Sequence, residues 1–325
     1  MEAGAAESRP TGRRVAIVEG CRTPFARSRS AFADMTAIDL GTIAVRELLN
    51  RADLPVGEVD HVIYGTVVHS VQAPNIAREV ALAAGIPHEV PAFSVSRACA
   101  SANQAITSGA EMIMAGQADT VVVGGAESLT DIPLLVGKSL RDRLVDASRA
   151  KTLGQRLKAF AGFRPGELQP ITPAIAEPTT GKTMGESAED MAKENGISRE
   201  EQDRWALRSH RLALEGTRDG RLTAEIVPTF MPPDYEEVVE ADNGIREDTS
   251  MEALAGLKPV FDRQNGTVTA GNASPLTDGA SALILMREEK AKALGYEPLG
   301  YIRSWAYAAL SPGDQLLQGP AYAVP

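Results

Sequence analysis

Apolar and polar positions alternate between two rhythms along this chain: short continuous apolar runs, and longer stretches with a period near 3.6. Residues 15–18 form an apolar run that stops at Glu19-Gly20, the pattern of a buried strand. Residues 38–52 place Leu40, Ile43, Ala44, Leu48 and Leu49 on one helical face. A strand-like run at 61–67, a helix from Pro74-Asn75 to Ala84 and a strand at 91–95 come next. Helical spacing then extends from Ser96 to about Gly116, and a strand at 120–123 closes on Gly124-Gly125-Ala126-Glu127. Such alternation predicts an α/β fold, with a mostly parallel sheet covered on both faces and chemistry at the carboxyl ends of its strands.

The rhythm breaks after Leu129, where prolines multiply and strand signals thin out. It returns as a strand at 281–286 with a helix at 287–294 behind it. The stretch between therefore reads as an insertion into the first α/β unit, and 299–309 as the first strand of a new one. Inside the insertion, Ser198-Arg199-Glu200-Glu201 is a capping-box pattern that opens a helix to about Thr217. That helix carries Trp205 and His210, the latter read as structural. Residues 138–164 hold eight basic side chains against two acidic ones, with Leu140, Leu144, Leu153, Leu157 and Phe160 at helical spacing. A basic amphipathic helix of this kind suits a membrane surface, an acidic partner or phosphate groups, or simply packs one face down.

Composition narrows the classes. With 33 basic and 43 acidic residues the chain carries a net charge of −10, which argues against nucleic acid as a partner. The two cysteines, Cys21 and Cys99, form no C-x-x-C pair, so a disulfide scaffold and a cysteine-rich zinc site are excluded and a reducing compartment is expected. Residues 1–11 lack the apolar core of a signal peptide and read as a flexible tail. No run approaches the ~20 apolar residues of a membrane span. The expectation is a cytoplasmic protein with neither signal peptide nor transmembrane segment.

The stretch most suggestive of chemistry is Ser96-Arg97-Ala98-Cys99-Ala100-Ser101-Ala102-Asn103-Gln104-Ala105. It puts a cysteine between a strand and a helix, where unpaired backbone N–H groups and the helix dipole stabilise negative charge. A cysteine there is a candidate nucleophile; the plainer reading is a small residue at a tight packing point. A second motif, Gly266-Thr267-Val268-Thr269-Ala270-Gly271-Asn272-Ala273-Ser274 followed by Asp278-Gly279-Ala280, is rich in small residues that permit close backbone approach. Asp242-Asn243-Gly244-Ile245-Arg246 is a turn signal with an arginine. Thr183-Met184-Gly185-Glu186-Ser187-Ala188-Glu189 precedes a helical run.

Together these motifs resemble those of the thiolases, the enzymes that make or break the C–C bond of 3-ketoacyl-CoA. The resemblance runs from Arg13 to Pro325 and is nearest to the long-chain type that serves as β subunit of the fatty-acid β-oxidation trifunctional complex. It implies a layered α-β-α-β-α thiolase fold with an inserted loop domain. The parts would be a tail at 1–11, an N-terminal half at 12–129 plus 266–298, the loop domain at 130–265, and a truncated start of the second half at 299–325. It implies Cys99 as catalytic nucleophile and acyl carrier. Ser274 and Ala273 would lie beside the pantetheine arm of CoA, Met184 against the acyl chain or pantetheine, and Arg246 near the CoA nucleotide. Acyl-CoA and CoA would be substrates, with no permanently bound cofactor and no metal.

The implied assembly is a homodimer or homotetramer, with a possible hydratase/dehydrogenase α subunit and peripheral membrane contact through 138–164. The family's later motifs are a Glu-Ala-Phe segment, a Gly-His-Pro segment and a glycine-flanked second cysteine. None occurs here: His61, His69, His88 and His210 all lie in other contexts. By resemblance, residues 1–325 alone are expected to be inactive or nearly so. The alternatives are a biosynthetic acetyl-CoA acetyltransferase and a non-catalytic CoA-binding or assembly fragment; the Thr-Ala-Gly-Asn-Ala-Ser motif speaks against a ketoacyl synthase.

Overall fold

The computed structural model describes residues 13–171 and 176–324. The chain opens with β1 (Val15–Arg22), β2 (Ala26–Arg27), α1 (Ala37–Arg51), β3 (His61–Gly65), α2 (Ile76–Ala83), β4 (Ala92–Val95), α3 (Ser101–Met114) and β5 (Thr120–Glu127). Next come β6 (Leu135–Val136), α4 (Lys138–Arg149), α5 (Leu153–Ala159), β7 (Pro170–Ile171), α6 (Met184–Glu194), α7 (Arg199–Arg218) and α8 (Arg221–Glu225). The remainder is β8 (Thr229–Phe230), β9 (Val238–Val239), α9 (Met251–Ala255), β10 (Thr277–Arg287), α10 (Glu288–Ala293), β11 (Gly300–Ile302) and α11 (Gly319–Ala323). Among the described residues two compact units emerge, 13–131 with 177–324, and 132–171 with 176; the tail expected at 1–11 lies outside the described residues.

The first unit is built on a sheet in the order β11-β1-β10-β5-β3-β4, with β2 paired to the start of β10. Only β3–β4 and β3–β5 run parallel; β10 is antiparallel to both β1 and β5. The sheet is therefore mixed, not mostly parallel. The sequence concealed this because a strand buried on both faces writes the same continuous apolar run whichever way it points. β11, at three residues, is shorter than the run at 299–309 and joins the same sheet beside β1.

Period-two alternation sorts the strands onto two cores. Val62, Tyr64, Val122, Ile284 and Met286 face one cluster with α1 and α2 residues such as Leu40, Leu48 and Val80. Ile63, Val121, Val123 and Leu285 face the other, with Ala105, Ala110 and Ile113 of α3. α1 starts behind a cap: Thr36 accepts the Asp39 N–H and Asp39 closes a capping box.

In the second unit, residues 138–164 form two helices instead of one. Thr152 accepts the Gln155 N–H in a capping box and restarts the chain as α5. Arg143 bonds Glu167 at 3.1 Å and the carbonyl oxygens of Ala159 and Ala161 at 3.1 and 2.8 Å. Leu140 is buried, whereas Leu144, Leu153 and Leu157 are exposed. Among the described residues no helix is long and apolar enough to cross a membrane.

Candidate active site

Five residues, Ser96 to Ala100, join the end of β4 to the start of α3. Their path is set by Ser101, whose Oγ accepts the Arg97 N–H at 2.8 Å and donates to the Ala98 carbonyl at 2.6 Å. Backbone bonds Ala100 N–H to Arg97 O (3.0 Å) and Ser101 N–H to Ala98 O (3.1 Å) tighten the turn. Ala98 consequently sits at φ +43°, a left-handed conformation that costs an alanine roughly 1–2 kcal/mol. The next side chain is Cys99, and it is exposed. It precedes α3 by two residues instead of lying within it. The bond from Gln104 N–H to Ala100 O (2.9 Å) enters the first turn, leaving earlier N–H groups of the helix start without an intrahelical acceptor.

Two glycines let this turn rest on the sheet. A Cβ at Gly65 would stand 2.5 Å from the Ser101 carbonyl carbon, and one at Gly125 would stand 3.0 Å from the Ala102 Cβ. The start of α3 thus lies on the carboxyl ends of β3 and β5. Cys21 has the opposite surroundings: it is buried, its thiol donates to the Ala44 carbonyl at 3.2 Å, and burial pushes its pKa up to about 12.

The antiparallel β10 begins where β5 ends, since Gly279 pairs with Glu127, and Gly65 pairs with both Gly125 and Val95. Ala273 and Ser274, both exposed just before β10, therefore lie at the same end of the sheet as Cys99. Three strand spacings separate β4 from β10, or roughly 14 Å across the sheet. The preceding residues are held from below. Glu189 of α6 accepts the Thr267 N–H (2.7 Å), the Thr267 hydroxyl (3.0 Å) and the Val268 N–H (2.9 Å). Asp203 of α7 accepts the Asn272 amide at 2.9 Å and Arg199 Nε at 2.7 Å. Asn272 Oδ1 in turn accepts the Thr269 N–H at 2.7 Å. Sequence reading missed both carboxylates as parts of the site. The available signal was Glu189, which ends the Met-Gly motif; Asp203 carries none.

Met184 is the first residue of α6 and half-buried, behind a Thr183–Glu186 capping box. Arg246 is exposed, and its N–H donates to His210 Nδ1 at 3.3 Å. Burial, then the Arg246 and Arg27 guanidiniums, lower the His210 pKa, so the imidazole is a neutral acceptor and serves as a structural contact. The turn that carries Arg246 is fastened just past β1. Asp242 accepts Arg22 Nη1 and Nη2 at 2.7 and 2.9 Å and the Phe25 N–H at 2.7 Å, while Asn243 Oδ1 accepts the Arg27 N–H at 2.7 Å. Cys99, Ala273, Ser274 and the Arg246 turn are thus set out along one end of the sheet, and Met184 is linked to them through α6. Beside Cys99, Arg97 donates to Gln104 Oε1 at 2.6 Å and stacks over Tyr307, 4.0 Å from its centroid. Among the described residues no group of three His, Cys, Asp or Glu is placed to hold a metal.

An exposed thiol on a strained turn just ahead of a helix start is chemically suited to accept an acyl group. The fold supplies the class. A solved structure of the Bacillus anthracis acetyl-CoA acetyltransferase superposes with a TM-score of 0.81 at 32% identity, covering 97% of this chain and 76% of that one. The architecture is thus that of an α/β acyltransferase. The family model for the thiolase N-terminal domain matches residues 15–289. A 3-ketoacyl-CoA thiolase of Pseudoalteromonas translucida is 51% identical over 316 residues, covering 97% of this chain and 72% of that protein. Another, from Yersinia pestis, is 48% identical over 314 residues with the same coverage. The chain belongs to the thiolase family.

Proposed function

We propose that this chain carries the acyl-accepting half of a 3-ketoacyl-CoA thiolase reaction, acting on medium- to long-chain substrates in fatty-acid β-oxidation. Cys99 as thiolate attacks the keto carbon of the substrate. The C–C bond between the α and β carbons breaks, its electron pair passes to the acetyl-CoA enolate, and protonation of that enolate gives acetyl-CoA. The acyl chain is left on Cys99 as a thioester. The CoA thiol then gives up its proton, which over the cycle balances the one taken by the enolate, and attacks the thioester carbonyl, and Cys99 leaves as thiolate. The pantetheine arm lies along Ala273 and Ser274, Met184 borders the acyl chain, and Arg246 meets the nucleotide. CoA and its acyl thioesters enter as substrates and leave again, with no resident cofactor. The observation that carries this reading is the exposed Cys99 at the start of α3, at the same end of the sheet as the 273–274 segment.

Mass spectrometry after incubation with a 3-ketoacyl-CoA tests it. The expected product is one acyl adduct on Cys99, absent from Cys99→Ala. Residues 1–325 alone, which lack a Gly-His-Pro histidine, are expected to form the adduct with little turnover. Binding of CoA with no adduct would favour the alternative of a CoA-binding fragment.

The proposed layout is an N-terminal half at 12–129 plus 266–298, a loop domain at 130–265, and the start of a second half at 299–325. The proposed setting is cytoplasmic, as a homodimer or homotetramer working with a hydratase/dehydrogenase α subunit. The exposed Leu144, Leu153 and Leu157 among the basic residues of 138–164 support peripheral contact with an anionic membrane. Reversing charge at Arg149, Lys151 and Arg156 should abolish flotation with anionic liposomes; unchanged flotation would refute the contact.

A further inference from the structure

The 266–272 segment is fixed by a carboxylate that the reaction itself does not use. Glu189 is 2% exposed, and a buried carboxylate is costly unless its lone pairs are filled. Lys193, one turn further along α6, pairs with Asp262 at 2.7 Å. The Glu189 charge is met by the three donors of Thr267 and Val268. The fit is close: a Cβ on Gly266 would fall 2.8 Å from Glu189 Oε2. The Thr267 hydroxyl, while donating to Glu189, accepts the Gln202 amide at 2.9 Å, and the Thr267 carbonyl accepts the Asn272 amide at 3.0 Å. Beyond Asn272 the chain is exposed at 273–276 until Thr277 opens β10. Ala273 and Ser274 therefore span a short gap whose upstream anchor is held at Asn272 by Asp203 of α7 and at Thr267 and Val268 by Glu189 of α6, the helix that begins at Met184.

We infer that Glu189 is a positioning residue: its carboxylate holds Thr267 and Val268 and so sets where Ala273 and Ser274 stand relative to Met184. The inference rests on the reading that 273–274 lie beside pantetheine. Glutamine cannot replace the carboxylate. One oxygen would still accept, but its amide N–H would point at a second N–H donor.

The test is protection of Cys99 from iodoacetamide by CoA, which needs no turnover. Glu189→Gln should raise the CoA concentration for half-protection about tenfold, the scale of hydrogen bonds to a charged group. Labelling without CoA should stay within about twofold of the parent chain. Thr267→Val, which removes only the hydroxyl bonds, should raise half-protection about threefold. A purely structural role would lower the melting temperature or speed unprotected labelling and leave half-protection in place; that result overturns the inference. If Glu189→Gln does not fold, Thr267→Val decides, and half-protection equal to the parent refutes it. CoA failing to protect the parent chain would overturn the pantetheine reading and this inference with it.

Discussion

Cys21 and Cys99 are one residue type in two solvents. Cys99 stands free on its turn, while Cys21 is 4% exposed against the carbonyl of α1, with its pKa raised by burial from 9.0 to about 12. The native state therefore keeps the Cys21 proton at pH values where an unfolded chain has released it. Stabilisation from the neutral thiol is complete below pH 9 and is lost as pH climbs from 9 toward about 12. Urea midpoints should fall more between about pH 8.5 and about pH 10.5 in the parent than in Cys21→Ala, where this ionisation is missing. Equal falls in the two proteins would show that Cys21 contributes nothing to the alkaline limit. Sequence distinguished the two cysteines by context alone: Cys21 lay just past an apolar run expected to stop at Glu19-Gly20, and Cys99 at a strand-to-helix junction; β1 runs on to Arg22 and takes Cys21 into the sheet. The φ of Ala98 could not be read that way, because alanine rarely adopts it and the turn that forces it depends on Ser101.

At the scale of elements, the helix at 199–218 was legible because a cap marks its start. Ser198 accepts the Glu201 N–H three residues on, as the expected capping box does. The expected helix from Ser96 began five residues late, because the apolar spacing continued through a turn whose backbone bonds are not helical. The basic run at 138–164 broke in two for the converse reason: Thr152 and Gln155 make a start signal inside what periodicity reads as one helix. The contact of α3 with the sheet is an element-scale feature with a sharp test. Gly65→Ala places a methyl group 2.5 Å from backbone that cannot rotate away, so it should cost about 1–3 kcal/mol. It should also alter the alkylation rate of Cys99 by lifting the start of α3. Unchanged stability and labelling would mean that the helix start does not depend on this contact.

For the whole molecule, the motifs of the candidate site were visible in the sequence, but the contacts that hold them in place stayed hidden. Cys99, the 266–274 segment, Met184 and Arg246 were each visible as local patterns. What fixes them is remote in sequence: Glu189 under Thr267, Asp203 under Asn272, and Arg22 gripping Asp242 across 220 positions while also bonding Glu225 at 2.6 Å. A buried acid reads like any charged helix residue until its partner is known. Strand direction was lost in the same way, since β10 takes its orientation from β1 and β5 and not from its own residues.

The place of β10 also carries a consequence for synthesis. It fills the gap between β1 and β5, yet it begins 150 residues after β5 ends. On a ribosome making 5–20 residues per second, that is roughly 8–30 s during which the nascent chain has β1 and β5 but no strand to join them. Through that wait the facing edges of both strands offer unsatisfied peptide groups to any neighbour. This polypeptide should therefore lean on holding factors while it is being translated, and its aggregation should be a hazard of birth more than of the finished fold.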